Sequence, residues 1–181
     1  MDRRQFLGGS VGIAVGALCL PELAAAARFD QVRTLRVRRV STGEQVNVAY
    51  WSEGRVLRDG YQRLNHALRD VHANQSTMMA VPLLDVMAWV QTWFTLHGWN
   101  IPLLINSGYR TERTNSGLEG AAKNSLHLRG LAVDFTMPGV PTEYLGQLLR
   151  RLQQGGVGIY QRGGPDGFVH LDVGNIRSWR G

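Results

Sequence analysis

The sequence predicts an α+β domain, or a small mixed α/β one, built on a small antiparallel or mixed sheet. Three observations carry this. Two early segments alternate apolar and polar residues around a glycine turn. Two later stretches repeat apolar residues at helical spacing. The last third is a series of short apolar runs broken by glycine and proline, with one more helical stretch among them. A chain of 181 residues is one domain's worth, long enough for one modest core without staples.

Residues 1–27, MDRRQFLGGSVGIAVGALCLPELAAAA, read as an export signal: a short charged start, an apolar stretch over 6–20, and a small-residue tail with cleavage expected within 24–27. The apolar stretch is too short for a comfortable membrane span. Arg3 and Arg4, with Phe6 and Leu7, resemble the bacterial twin-arginine signal, whose cargo is exported already folded. That resemblance implies a bacterial, periplasmic or otherwise exported protein, with the twin-arginine translocase as a partner during export and no stable membrane insertion. Cys19 is the only cysteine and lies in this segment, where Leu18 before it argues against a lipid anchor. Residues 28–181 are then a single domain without thiols, so disulfides are excluded and any metal site must use His, Asp or Glu.

Along that domain, TLRVRRVSTGEQVNVAYWSEGRV reads as two short strands joined at Thr42, Gly43 and Glu44, with Leu35, Val37 and Val46, Val48, Tyr50 alternating with polar residues. DGYQRLNHALRDVH places Tyr61, Leu64, Leu68 and Val71 on one helical face, with Asp59 positioned to cap it. VPLLDVMAWVQTWFTLHGW is a second helix with Pro82 in its first turn, Leu83, Met87, Val90, Trp93 and Phe94 along one face, and Gly98 as its stop. IPLLINSGYRT is a short buried strand that ends at Asn106, Ser107 and Gly108. The polar segment 111–124 follows, long enough to be a functional loop. Then come a strand in LRGLAVDFTM, a turn between Pro138 and Pro141, a helix in TEYLGQLLRRLQQ, a glycine-rich strand in GGVGIYQ, and a last strand in FVHLDVG. The expected order is two helices, then a small sheet with one more helix interposed.

The formal net charge is +6, and Lys123 is the only lysine among the basic residues. A cationic exported domain is drawn to anionic wall polymer or lipid headgroups by long-range attraction. Export and the lack of a concentrated basic run argue against nucleic acid.

Two strand-borne pairs carry the chemistry. In FVHLDVG the alternation puts Phe168, His170 and Asp172 on one face and Val169, Leu171 and Val173 on the other. In SLHLRGLAVDFT, Gly130 lets the chain turn so that His127, before the strand, and Asp134, within it, converge. Two imidazoles and a carboxylate suit zinc with a position left for water, and the same set serves non-haem iron or manganese. Taken singly, each histidine reads first as a hydrogen-bonded polar residue at a strand edge, and only the set taken together brings the site reading level with it. The residues by themselves leave both readings standing.

The run Ser125, His127, Gly130, Ala132, Asp134, followed by FVHLDVG, resembles the zinc D-alanyl-D-alanine peptidase superfamily. That group includes lysostaphin-type enzymes, vancomycin-resistance dipeptidases and murein endopeptidases. With Ser107, Gly108, Tyr109 and Arg110 upstream, the likeness is closest to the murein endopeptidase K branch. The resemblance implies a hedgehog/D,D-peptidase-like fold, in which the sheet carries the metal site and the helices pack on one side. It implies one zinc ion on His127, Asp134 and His170, and Arg110 as a catalytic and substrate-binding residue facing an oxyanion or a peptide carboxylate. Tyr109, Ser125 and Asn115 join it as substrate-binding positions. It further implies hydrolysis of stem-peptide cross-links in peptidoglycan, with peptidoglycan peptides as the partner. D,D-carboxypeptidase or dipeptidase activity and a non-catalytic wall-binding module are the alternatives.

The general base departs from the family's patterns. Relatives carry a glutamate three residues before the last ligand or a histidine two before it, and Gly167 and Phe168 hold those places here. Asp172 is the first candidate, either as base or as the partner that orients an imidazole. Asp166 and the loop residues Glu112 and Glu119 follow.

Overall fold

The computed structural model describes residues 32–161 and 167–181. The expected export signal and Asp166 lie outside these residues. Among the described residues eight strands form one mixed sheet, in the order 55–56, 45–52, 32–39, 103–107, 132–136, 168–172, 156–160 and 177–180.

Strands β1 (Val32–Arg39) and β2 (Gln45–Ser52) form the expected antiparallel pair, turning at Gly43 with φ +74°. Their register places Leu35 opposite Val48 and Val37 opposite Val46, the cross-strand contacts the alternation calls for. A two-residue strand β3 (Arg55–Val56) extends the edge. Helix α1 (Arg58–Ala67) starts after Leu57 with no side-chain cap; Asp59 sits in its first turn instead, where it favours the positive end of the helix. This corrects the expected cap at Asp59. Helix α2 (Val81–Leu96) begins with Pro82 in its first turn and ends ahead of Gly98, whose φ of +87° releases the chain.

The chain returns as β4 (Leu103–Ser107), parallel to β1, with Val37 opposite Leu103 and Arg39 opposite Ile105. Among the described residues, the first half of β1 therefore has no strand on that side. Gln91 of α2 fills the gap, pairing with both the N–H and the carbonyl of Arg36. The N-terminal pair thus belongs to the same sheet as the later strands. Pairing across two intervening helices leaves no local trace.

The loop 111–124 contains a short helix α3 (Glu112–Ser116), and a 3-10 helix (Leu126–Arg129) precedes β5 (Ala132–Thr136). Helix α4 (Thr142–Leu152), β6 (Gly156–Tyr160) and β7 (Phe168–Asp172) follow as expected, and β8 (Arg177–Arg180) is an additional strand parallel to β6.

The three long helices among the described residues pack on one face. Leu64 and Leu68, Leu83 and Met87, and Leu145 and Leu149 meet Leu35, Val37, Ile105, Phe135, Val157 and Leu171 in one continuous core. A fully buried leucine contributes roughly 1.5–3 kcal/mol. The other face of the central strands carries Asp134, His170 and Asp172.

Candidate metal centre

Asp134 lies in β5 between Val133 and Phe135, both core residues on the opposite face. The antiparallel register sets it across from His170 of β7, and facing residues of such a pair share one side of the sheet. His127 comes from outside the sheet. Ser125 starts its 3-10 turn by accepting from the His127 N–H, and Gly130, at φ +66°, ends it. A Cβ at Gly130 would lie 2.8 Å from the Met78 carbonyl oxygen, so only glycine lets the turn seat here.

The three side chains converge. His127 Nδ1 donates to the Gly108 carbonyl at 2.6 Å, leaving Nε2 with its lone pair facing inward. His170 Nε2 donates to Asp172 Oδ2 at 3.1 Å, leaving Nδ1 facing inward. That nitrogen stands 2.8 Å from Asp134 Oδ1 and 3.2 Å from His127 Nε2, and His127 Nε2 stands 3.3 Å from Asp134 Oδ1. Asp134 Oδ2 accepts from Arg110 Nη2, and Arg110 Nε donates to Ser107 Oγ at 2.8 Å.

This donor set fits a divalent ion. Tetrahedral ligands at about 2.0–2.1 Å from zinc lie about 3.3 Å from one another. Each imidazole has its outward nitrogen held by a hydrogen-bond acceptor, as neutral ligands of a metal require. Burial alone would raise the Asp134 carboxyl, but the imidazoles of His127 and His170 outweigh it and hold it well below the usual carboxylate range. Burial pushes His170 toward its neutral form, and its bonds to Asp134 and Asp172 reverse this, raising its pKa. Both shifts mark a pocket that favours positive charge.

The sequence profile described as Peptidoglycan L,D-endopeptidase MepK matches residues 27–179. The chain belongs to the MepK family. Peptidoglycan L,D-endopeptidase MepK of Escherichia coli (strain K12) is 32% identical over 183 aligned positions, covering 98% of this chain and 97% of the relative. The Shigella flexneri protein of the same name is similar to the same extent. The probable peptidoglycan L,D-endopeptidase MepK of Haemophilus influenzae is 31% identical over 175 positions, covering 94% of this chain and 91% of the relative.

The other positions expected to serve the site in this MepK-family chain are more dispersed. Asp172 is 0% exposed and reaches only the outward nitrogen of His170. Its Oδ1 accepts from Gly156 N, Gly174 N and Arg177 Nη1, and its Oδ2 from Arg177 Nη2 at 2.7 Å. Burial pushes the Asp172 carboxyl up, and these donors, led by His170 and Arg177, bring it well below the carboxylate range. Asn115 is 5% exposed and donates to the Ala122 carbonyl, bracing the loop. Ser125 serves the turn under His127. Tyr109 packs partly against the core, its N–H donating to the Leu68 carbonyl. Glu112 and Glu119 are exposed on the 111–124 segment. His66, His72 and His97 are exposed as well, apart from the cluster.

Sequence reasoning missed Gly108 as the acceptor for His127, and it missed Arg177 and Trp179 of β8. The Trp179 indole lies 5.2 Å from the His170 ring, centre to centre, and donates to Tyr160 Oη. The one available signal was a run of glycines, 156, 158 and 174, at places where a side chain would strike this group.

Proposed function

We propose that the protein is an exported zinc endopeptidase that hydrolyses peptide bonds in the stem-peptide cross-links of peptidoglycan. The observation that carries this is the convergence of two inward-facing imidazole lone pairs and one carboxylate oxygen in a chain of the MepK family. The names of the relatives add the L,D linkage as the bond class. A bound divalent ion supplies Lewis acidity toward a carbonyl oxygen and lowers the pKa of water.

The chain's own residues do the rest. Gly108 and Asp172 hold the two rings in the tautomers that keep the lone pairs inward. Arg110 fixes Asp134 with Nη2, and its Nη1, without a hydrogen-bond partner among the described residues, is the donor we assign to the negative charge that develops on the scissile carbonyl. Asp172, with both oxygens engaged behind His170, takes the orienting role and not that of base. The carboxylates left to accept the proton of water are Asp166, Glu112 and Glu119. The base among them is the one whose amide variant keeps its ion and loses turnover.

An open groove supports the endopeptidase reading. It has a volume of about 1050 Å³ and is lined by Leu104, Asn106, Thr136, Pro138, Glu143 and Gln161 among others. Thr136 is two residues along β5 from Asp134 and shares its face, about 7 Å away at strand spacing.

Digestion of purified cross-linked muropeptides, with mass analysis of the products, tests this. Internal cleavage that stops with chelator and returns with zinc is expected. Release of a terminal residue alone would make the protein a carboxypeptidase. Retained wall binding without turnover, even after zinc loading, would make it a non-catalytic module.

A further inference from the structure

Strand β8 lies parallel to β6 with Arg177 opposite Gly156 and Trp179 opposite Gly158. From there the Arg177 guanidinium forks onto Asp172, Nη1 to Oδ1 at 3.1 Å and Nη2 to Oδ2 at 2.7 Å. Room for the fork is provided by missing side chains. A Cβ at Gly156 would lie 2.5 Å from Asp172 Oδ2 and 2.6 Å from Arg177 Nη1, and one at Gly174 would lie 3.0 Å from Asp172 Oδ1. The guanidinium also sits 5.0 Å from the centre of the Trp179 ring.

The two oxygens of Asp172 are held unequally. Oδ1 is fixed by two backbone N–H groups as well as Arg177. Oδ2, the oxygen that accepts from His170, has Arg177 as its only other partner among the described residues. The plane of the carboxylate, and so the direction Oδ2 offers to His170 Nε2, depends on the fork.

We infer that Arg177 is a positioning residue for the metal centre, acting through Asp172 to keep the His170 proton on Nε2 and the Nδ1 lone pair free for the ion. This rests on the metal-centre reading above. It makes a residue outside the ligand set, with a side chain 45% exposed, a determinant of metal affinity.

The test uses the full chain with Arg177→Ala and Arg177→Lys, and Arg55→Ala as a control for one lost positive charge at an exposed pair with Glu53. Two measurements are made: zinc affinity by competition with a chromophoric chelator, and the ring-nitrogen NMR shifts of His170 in metal-free protein at alkaline pH. Arg177→Ala is expected to weaken zinc binding roughly 10–100-fold, the usual cost of losing an outer partner of a ligand. It should also move His170 toward the tautomer protonated on Nδ1. Arg177→Lys, which keeps the charge without the fork, should recover part of both, and Arg55→Ala should match the unmodified protein. Unmodified affinity and shifts in folded Arg177→Ala would overturn the inference, as would an equal loss in Arg55→Ala. Should Arg177→Ala not fold, Arg177→Lys carries the same comparison. If the unmodified protein binds no zinc, the metal-centre reading fails separately, and the nitrogen shifts still decide whether Arg177 acts on His170.

Discussion

His127 and Gly108 are joined by one hydrogen bond, from Nδ1 to the backbone carbonyl at 2.6 Å, and that bond decides which nitrogen of the ring faces Asp134 and His170. Gly108 can serve because it has no side chain: a Cβ there would lie 2.3 Å from the Leu68 carbonyl oxygen. Gly108→Ala should push these segments apart, costing roughly 1–3 kcal/mol as overpacking does, and weaken zinc binding. Denaturant unfolding and chelator competition measure both, and unmodified values for the two would remove Gly108 from this role.

Replacing His127, Asp134 or His170 by Ala should remove both the ion and hydrolysis while leaving the helices intact. Elemental analysis beside circular dichroism checks it. Near-stoichiometric zinc in any one folded variant excludes that residue as a ligand.

For Asp172→Asn the orienting role and the base role differ in outcome. As an orienting partner its loss should lower zinc affinity by roughly 10–100-fold, with turnover partly restored as zinc is raised. Full zinc occupancy with no turnover would instead make Asp172 the base.

Arg110→Lys keeps a cation beside Asp134 but loses the planar fork. A fall in kcat of roughly 100-fold, comparable to losing one oxyanion donor, is expected with zinc largely retained. Steady-state kinetics on a defined cross-linked peptide, alongside metal content, reads this; an unchanged kcat would relieve Arg110 of the assignment.

Away from the centre, Asp70 ties the start of the 111–124 segment to the chain after α1. It accepts from the Thr111 N–H and hydroxyl and from the N–H groups of His72 and Ala73. Burial pushes its carboxyl up, but hydrogen bonds from Thr114, Thr111 and Ala73 together bring it down to about 2, from an ordinary 3.8. Because the folded value is the lower one, the stabilisation is present above the ordinary value and lost as pH falls toward 2. Asp70→Asn should therefore cost roughly 2 kcal/mol at neutral pH, as for lost hydrogen bonds to a charged group. The gap from the unmodified protein should narrow in acid. Urea titrations at several pH values would show it, and a gap independent of pH would mean that the carboxylate charge is not what holds the segment.

Much of the fold was legible because apolar period and turn chemistry agree over β1, β2, α2 and α4. The cluster stood out because His127, Asp134 and His170 interrupt apolar runs in a spacing that resembles a known family. Other parts had no local signal. Strand β8 has four residues, too few for alternation to register, and it pairs with β6 across the whole of β7. The commitment of Asp172 to Arg177 depends on that pairing, so the sequence left its role open between base and orienting partner. Gly108 acts through a backbone carbonyl, which no residue type announces.

Along β5, Val133 and Phe135 answer to the core while Asp134, between them, answers to the cluster. A slip of one residue against β7 would exchange those duties and turn an entire oily layer out to water. The penalty for misplacing Asp134 is therefore set by side chains that never touch it. Accuracy at the cluster is inherited from the grease behind the sheet.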